Sequence, residues 1–183
     1  MPHVAVLVGS LRKESFTRRL ALAMAKLGPA GLTLGIVEIR DLPLYDEDGE
    51  ASPPPAWTTF REQVRTADAV LFVTPEYNRS VPGCLKNAID VGSRPYGKSV
   101  WSGKPAAIVS NSPGLIGGFG ANHHLRQSLV FLDMPTLQQP EVYVGGVNKL
   151  LGPDDTITVD ATRTFLAGFL TTFATWIETT AHK

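Results

Sequence analysis

The 183-residue chain reads as an α/β protein: a doubly wound, five-stranded parallel sheet of order 2-1-3-4-5 with helices on both faces. Three observations predict this. Residues 4–8 (VAVLV) and 69–73 (AVLFV) are unbroken apolar runs, the pattern of strands buried on both faces. Strand-like runs alternate with segments whose apolar residues recur at helical spacing. No repeat, low-complexity tail or second core interrupts that alternation, so residues 1–183 are expected to form one domain.

The first strand gives way at Gly9 to a polar loop and a helix with Leu20, Ala23, Met24 and Leu27 on one face. Residues 32–39 alternate and are rich in branched side chains, which predicts the second strand. A long acidic and proline-rich loop follows, stiffened by Pro53, Pro54 and Pro55. Trp57, Phe60, Val64 and Ala67 mark the second helix. The third strand opens into residues 74–80, and a third helix is expected there with Ser80 as its cap and Pro82 in its first turn. Residues 105–110 form the fourth strand, followed by a glycine-rich run from Gly114 to Gly120. Leu125, Leu129 and Leu132 line a fourth helix, residues 142–144 a short fifth strand, and a last helix runs from about Asp160.

Composition narrows the function. The 17 Lys and Arg residues balance 17 Asp and Glu, so no electrostatic signal points to nucleic acid or to an anionic membrane. No apolar run approaches a bilayer span, and the amino terminus lacks a signal-peptide pattern. The single cysteine, Cys84, excludes an internal disulfide and a cysteine metal cluster. A cytoplasmic setting is expected.

Two strands matter most, because loops at the carboxyl ends of adjacent central strands form the ligand crevice of such a sheet. The loop after the first carries Ser10, Arg12, Ser15 and Thr17 and feeds a helix amino terminus, where backbone N–H groups stand free. It matches neither the triphosphate loop nor the dinucleotide fingerprint. Hydroxyls with one guanidinium suit a single terminal phosphate, as in FMN; the same residues also fit a plain helix cap with solvated cations. After the third strand, Tyr77 and Asn78 offer a flat aromatic and an amide beside exposed backbone groups, suited to a planar heterocycle or to a strand-ending turn. The glycine run permits close backbone approach to a ligand, or simply joins strand to helix. His123 and His124 are adjacent, which is not metal-ligand spacing, and no metal site is expected.

Residues 9–17 (GSLRKESFT) with residues 75–90 (PEYNRSVPGCLKNAID) resemble the NADPH-dependent FMN reductase family, which includes bacterial chromate and quinone reductases. The likeness extends through residues 41–46, 103–105 and 124–127. It implies a flavodoxin-like fold and a phosphate site at Ser10, Arg12, Ser15 and Thr17, with Phe16 in the same loop. By position it places Pro75, Glu76, Tyr77 and Asn78 along the isoalloxazine, with Ser112 and Gly114 nearby. Two residues depart from the family pattern: Thr17 stands where Asn is usual, and Val91 where an aromatic is usual, a change expected to alter the substrate mouth or an interface. The function expected is an FMN-dependent oxidoreductase passing two electrons from NADPH or NADH to quinones, with chromate, azo or nitro compounds as further acceptors. No protein acid or base is assigned, because the flavin carries the chemistry. The alternatives are a flavodoxin-like electron carrier and an FMN-retaining redox-sensing module. Polar and apolar residues mixed around Arg126 on the fourth helix make it a candidate interface of a homodimer or homotetramer.

Overall fold

The computed structural model describes residues 1–180, and its centre is the pair of apolar runs. β1 (His3–Val8) and β3 (Ala69–Pro75) lie side by side, in parallel register from Val4 against Ala69 to Val8 against Val73. β2 (Thr33–Ile36) flanks β1, while β4 (Ala106–Ser112) and then β5 (Val142–Gly145) extend the sheet beyond β3. Every pairing is parallel, and the order is 2-1-3-4-5, as the hydrophobic pattern predicts. Central strands β1, β3 and β4 are buried almost throughout, whereas edge strand β5 alternates between buried and half-buried residues.

Alternation along β1 supplies two cores. Val4, Val6 and Val8 face α1 (Phe16–Ala25) and α5 (Asp160–Thr180), packing with Leu20, Met24, Phe169 and Phe173. Ala5 and Leu7 face α2 (Pro55–Arg65), α3 (Gly83–Gly92) and α4 (Phe119–Phe131), packing with Phe60, Leu85, Leu125 and Trp101. Removing one such phenyl ring costs about 3–5 kcal/mol.

Three local expectations change. The second strand pairs only over Thr33–Ile36, ending on a hydrogen bond from the Val37 N–H to the Val6 carbonyl at 3.0 Å, and Val37 and Ile39 are buried in the second core. α3 starts at Gly83, with Pro82 rather than Ser80 at its cap, since Ser80 is held in a turn with Tyr77. Val91 is fully buried and gives its carbonyl to Arg61 Nε at 2.9 Å, so the departure there acts on the core and not on an open mouth.

The proline-rich loop is strapped down. Asn87 Oδ1 accepts the Tyr45 N–H at 2.8 Å, while Asn87 Nδ2 and Trp57 Nε1 both donate to the Pro43 carbonyl, at 3.1 and 3.0 Å. A short helical turn (Glu47–Ala51) carries Glu50, which meets the buried Arg61 guanidinium at 2.5 Å. A buried pair that also satisfies a backbone carbonyl favours one loop position, because breaking it strands a charge.

Candidate active site

A cleft of about 210 Å³ opens at the carboxyl ends of β1, β3 and β4. Ser10, Arg12, Ser15, Phe16 and Thr17 line it from the first loop, and Pro75, Glu76 and Tyr77 from the second. Asn111, Ser112 and Pro113 line it from the third. Asn78 and Gly114 lie outside this lining, on exposed loop tips. Asn111 and Pro113 are additions to the residues singled out from sequence. The available signal was a polar pair, Ser110 and Asn111, continuing an apolar strand towards the ligand edge.

The first loop joins two roles that the sequence left as alternatives. Ser15 is the amino-terminal cap of α1, and its Oγ accepts the Arg18 N–H at 3.1 Å. That contact uses a lone pair and leaves the hydroxyl proton free to donate into the cleft. Helical geometry leaves the Phe16 and Thr17 N–H groups without intrahelical acceptors. Arg12 arches over the Phe16 ring, its guanidinium carbon 4.9 Å from the centroid, and donates to the Glu14 carbonyl. Gly9 brings the loop against β3: an added Cβ would stand 2.8 Å from Thr74 Oγ1.

Beneath the cleft runs a buried polar chain. Thr17 Oγ1 donates to Asn111 Oδ1 at 3.1 Å, Asn111 Nδ2 donates to the Thr74 carbonyl at 3.2 Å, and Thr74 Oγ1 donates to the Pro75 carbonyl at 2.8 Å. It ties together the three segments that line the cleft.

On the second loop, Tyr77 and Ser80 exchange backbone hydrogen bonds at 3.1 and 3.0 Å, closing a two-residue turn over Asn78 and Arg79. Tyr77 is half-exposed. On the third, the glycines serve close packing against β5: a Cβ at Gly117 would lie 2.6 Å from the Tyr143 carbonyl carbon, and one at Gly145 would lie 2.5 Å from the Leu115 carbonyl oxygen. His123 meets the Tyr143 hydroxyl at 2.9 Å and His124 meets Ser80 at 2.9 Å. Among the described residues no group of metal-ligating side chains gathers.

This donor set fits a phosphomonoester joined to a flat ring system. Hydroxyls, a guanidinium and free helix N–H groups gather on one side, and proline and tyrosine stand on the other. The pattern that defines NADPH-dependent FMN reductases matches residues 2–149. The chain belongs to the NADPH-dependent FMN reductase family. A quinone reductase from Pseudomonas putida is 65% identical over 96% of this chain and 94% of its own length. A 2-hydroxy-1,4-benzoquinone reductase from Burkholderia is 44% identical, with 96% of each chain covered. The solved structure of FerB, a flavoenzyme NAD(P)H:acceptor oxidoreductase from Paracoccus denitrificans, superposes with a TM-score of 0.94 at 40% identity, covering 98% of this chain and 99% of that one. This family member is thus an FMN-dependent, NAD(P)H-linked oxidoreductase with a flavodoxin-like fold.

Proposed function

We propose that the protein is a quinone reductase whose FMN lies in the cleft between the β1, β3 and β4 loops. In sum, NAD(P)H, a quinone and a proton give NAD(P)⁺ and a hydroquinone. The observation that carries this reading is a cleft in which hydroxyls, a guanidinium and a helix amino terminus meet an open aromatic wall. Bound FMN supplies hydride acceptance from a nicotinamide and two-electron donation to a quinone. The protein's part is to bind, orient and leave room. Ser10, Arg12, Ser15 and the first turn of α1 would hold the phosphate, with Thr17 fixing Asn111 beneath. Pro75, Glu76 and Tyr77 would flank the ring through their backbone, with Ser112 and Pro113 opposite. No side chain is asked to move a proton.

Chromate, azo and nitro compounds fit the same open face as secondary acceptors. We further read residues 1–183 as one flavodoxin-like domain acting in the cytoplasm. A homodimer or homotetramer is supported by α4, where Val130 and Phe131 are largely exposed. Arg126 is engaged within its own chain, donating to Asn122 Oδ1 and to the Leu137 carbonyl, each at 3.1 Å, so the apolar end of the helix is the stronger contact.

An anaerobic titration tests the reading. The purified protein should be yellow, bleach on adding NADPH, and regain its colour stoichiometrically with benzoquinone. Colourless protein that takes up no FMN would overturn it.

A further inference from the structure

We infer that Glu76 is a positioning residue: its carboxylate caps α4 from the neighbouring strand and so holds the 77–80 turn, and Tyr77 with it, in place beside the cleft. This rests on the flavin-cleft reading only for its effect on rate; the contact itself is a property of the bare protein.

α4 has no cap of its own. Gly118 stands at the cap position with φ +80° and no side chain, and the first turn contains no acidic residue. The amino end of a helix carries free N–H groups and a partial positive charge, so an acceptor is required there. Glu76, at the exit of β3, supplies it: Oε2 accepts the Ala121 N–H at 3.1 Å, and the side chain is only 14% exposed.

The turn and the helix meet without a gap. A Cβ on Gly120 would lie 2.8 Å from the Arg79 carbonyl oxygen and 2.9 Å from Glu76 Oε2, so only glycine fits where the turn rests on α4. His124 Nδ1 and Ser80 Oγ, 2.9 Å apart, add a second tie one helical turn on. Arg79 Nη1 reaches Glu76 Oε1 at 3.6 Å from the exposed side.

The turn needs such support. Asn78 and Arg79 both have left-handed backbone, φ +51° and +66°, and neither is glycine. Side-chain-bearing residues hold that conformation only where surrounding contacts impose it. Glu76 lines the cleft while its carboxylate reaches the helix, and it acts through Tyr77 rather than on a ligand.

The test uses Glu76→Gln, Glu76→Ala and, from the helix side, Gly120→Ala. Glutamine keeps an acceptor oxygen for the Ala121 N–H and loses only the charge; alanine loses both. Three quantities are read: tryptic cleavage after Arg79 in FMN-free protein, FMN affinity, and the single-turnover rate of flavin bleaching by NADPH. Losing a cap contact should raise cleavage after Arg79 about tenfold in Glu76→Ala and Gly120→Ala. Both variants should bleach about tenfold more slowly, with FMN affinity changed less than about threefold, while Glu76→Gln should keep the Arg79 bond as protected as in the parent and lose less of the rate than Glu76→Ala. If Glu76→Gln is as slow as Glu76→Ala while its Arg79 bond stays protected, the residue acts by charge on the flavin and the capping role is overturned. Unchanged cleavage after Arg79 in both alanine variants also overturns it. Failure of the cleft reading looks different: normal protection patterns with no flavin bound.

Discussion

Thr17 Oγ1 donates to Asn111 Oδ1 at 3.1 Å, both residues are almost fully buried, and the bond joins the loop after β1 to the end of β4. The hydroxyl proton of Thr17 is therefore engaged inside the protein in this structure, and Ser10, Arg12 and Ser15 are left as the side-chain donors of the first loop that line the cleft. Thr17→Val keeps the shape and removes the donor. A buried acceptor left unsatisfied costs about 1–3 kcal/mol, so the urea midpoint should fall accordingly, while Thr17→Ser should restore most of it.

Arg12→Ala should weaken FMN about tenfold to a hundredfold, since a charge-assisted contact to phosphate contributes roughly 1.5–3 kcal/mol. Riboflavin, which lacks the phosphate, should bind the variant as it binds the parent. Fluorescence titration of both ligands decides this, and equal losses for the two would remove Arg12 from the cradle.

Arg79 provides a test of backbone strain with its own control. Arg79→Gly and Arg79→Ala both lose the long contact to Glu76, which is too exposed on the arginine side to contribute much. They differ only in the β-carbon, which makes the left-handed φ costly for alanine. At an ordinary position glycine is the less stable choice, but the left-handed angle at Arg79 reverses the sign. Thermal unfolding should find Arg79→Gly more stable than Arg79→Ala by about 1 kcal/mol.

Cys84 lies in the first turn of α3, half-buried, and burial pushes its thiol above the ordinary value, outweighing nearby backbone hydrogen bonds. The thiolate is the reactive form, so at pH 7 the residue should alkylate more slowly than a free thiol. Cys84→Ser should reduce quinone at the parent rate. Rapid labelling by iodoacetamide at neutral pH would contradict a thiol held protonated by burial.

The sheet was legible because apolar runs of five residues admit few placements. Val4 to Val8 and Ala69 to Val73 had to be central, and a central pair with helical crossovers fixes the strand order. The cleft followed from which loops leave its carboxyl edge. What sequence could not show was direction. Glu76 reads as one more polar residue beside a ring, yet its carboxylate turns to Ala121, a helix 45 positions away. Asn78 reads either as an amide for a planar ring or as part of a strand-ending turn, and the structure gives it left-handed backbone at a turn tip, a conformation asparagine tolerates better than most residues. The glycine run reads either as room for a ligand or as a plain connection, and in the structure Gly117 makes room for β5. Ser80 looks like a helix cap until its partners, Tyr77 and His124, are seen. The partners of Glu76, Gly117 and Ser80 on α4 and β5 are distant in sequence, which local propensity does not encode.

If one open face beside Tyr77 receives NAD(P)H and the quinone in turn, the two are never bound together. Steady-state rates measured over a grid of NADPH and benzoquinone concentrations decide this. Parallel double-reciprocal lines, with each substrate inhibiting competitively against the other at high concentration, are the predicted result. Lines that intersect would require both substrates bound at once, in separate pockets, and would rule out a shared face.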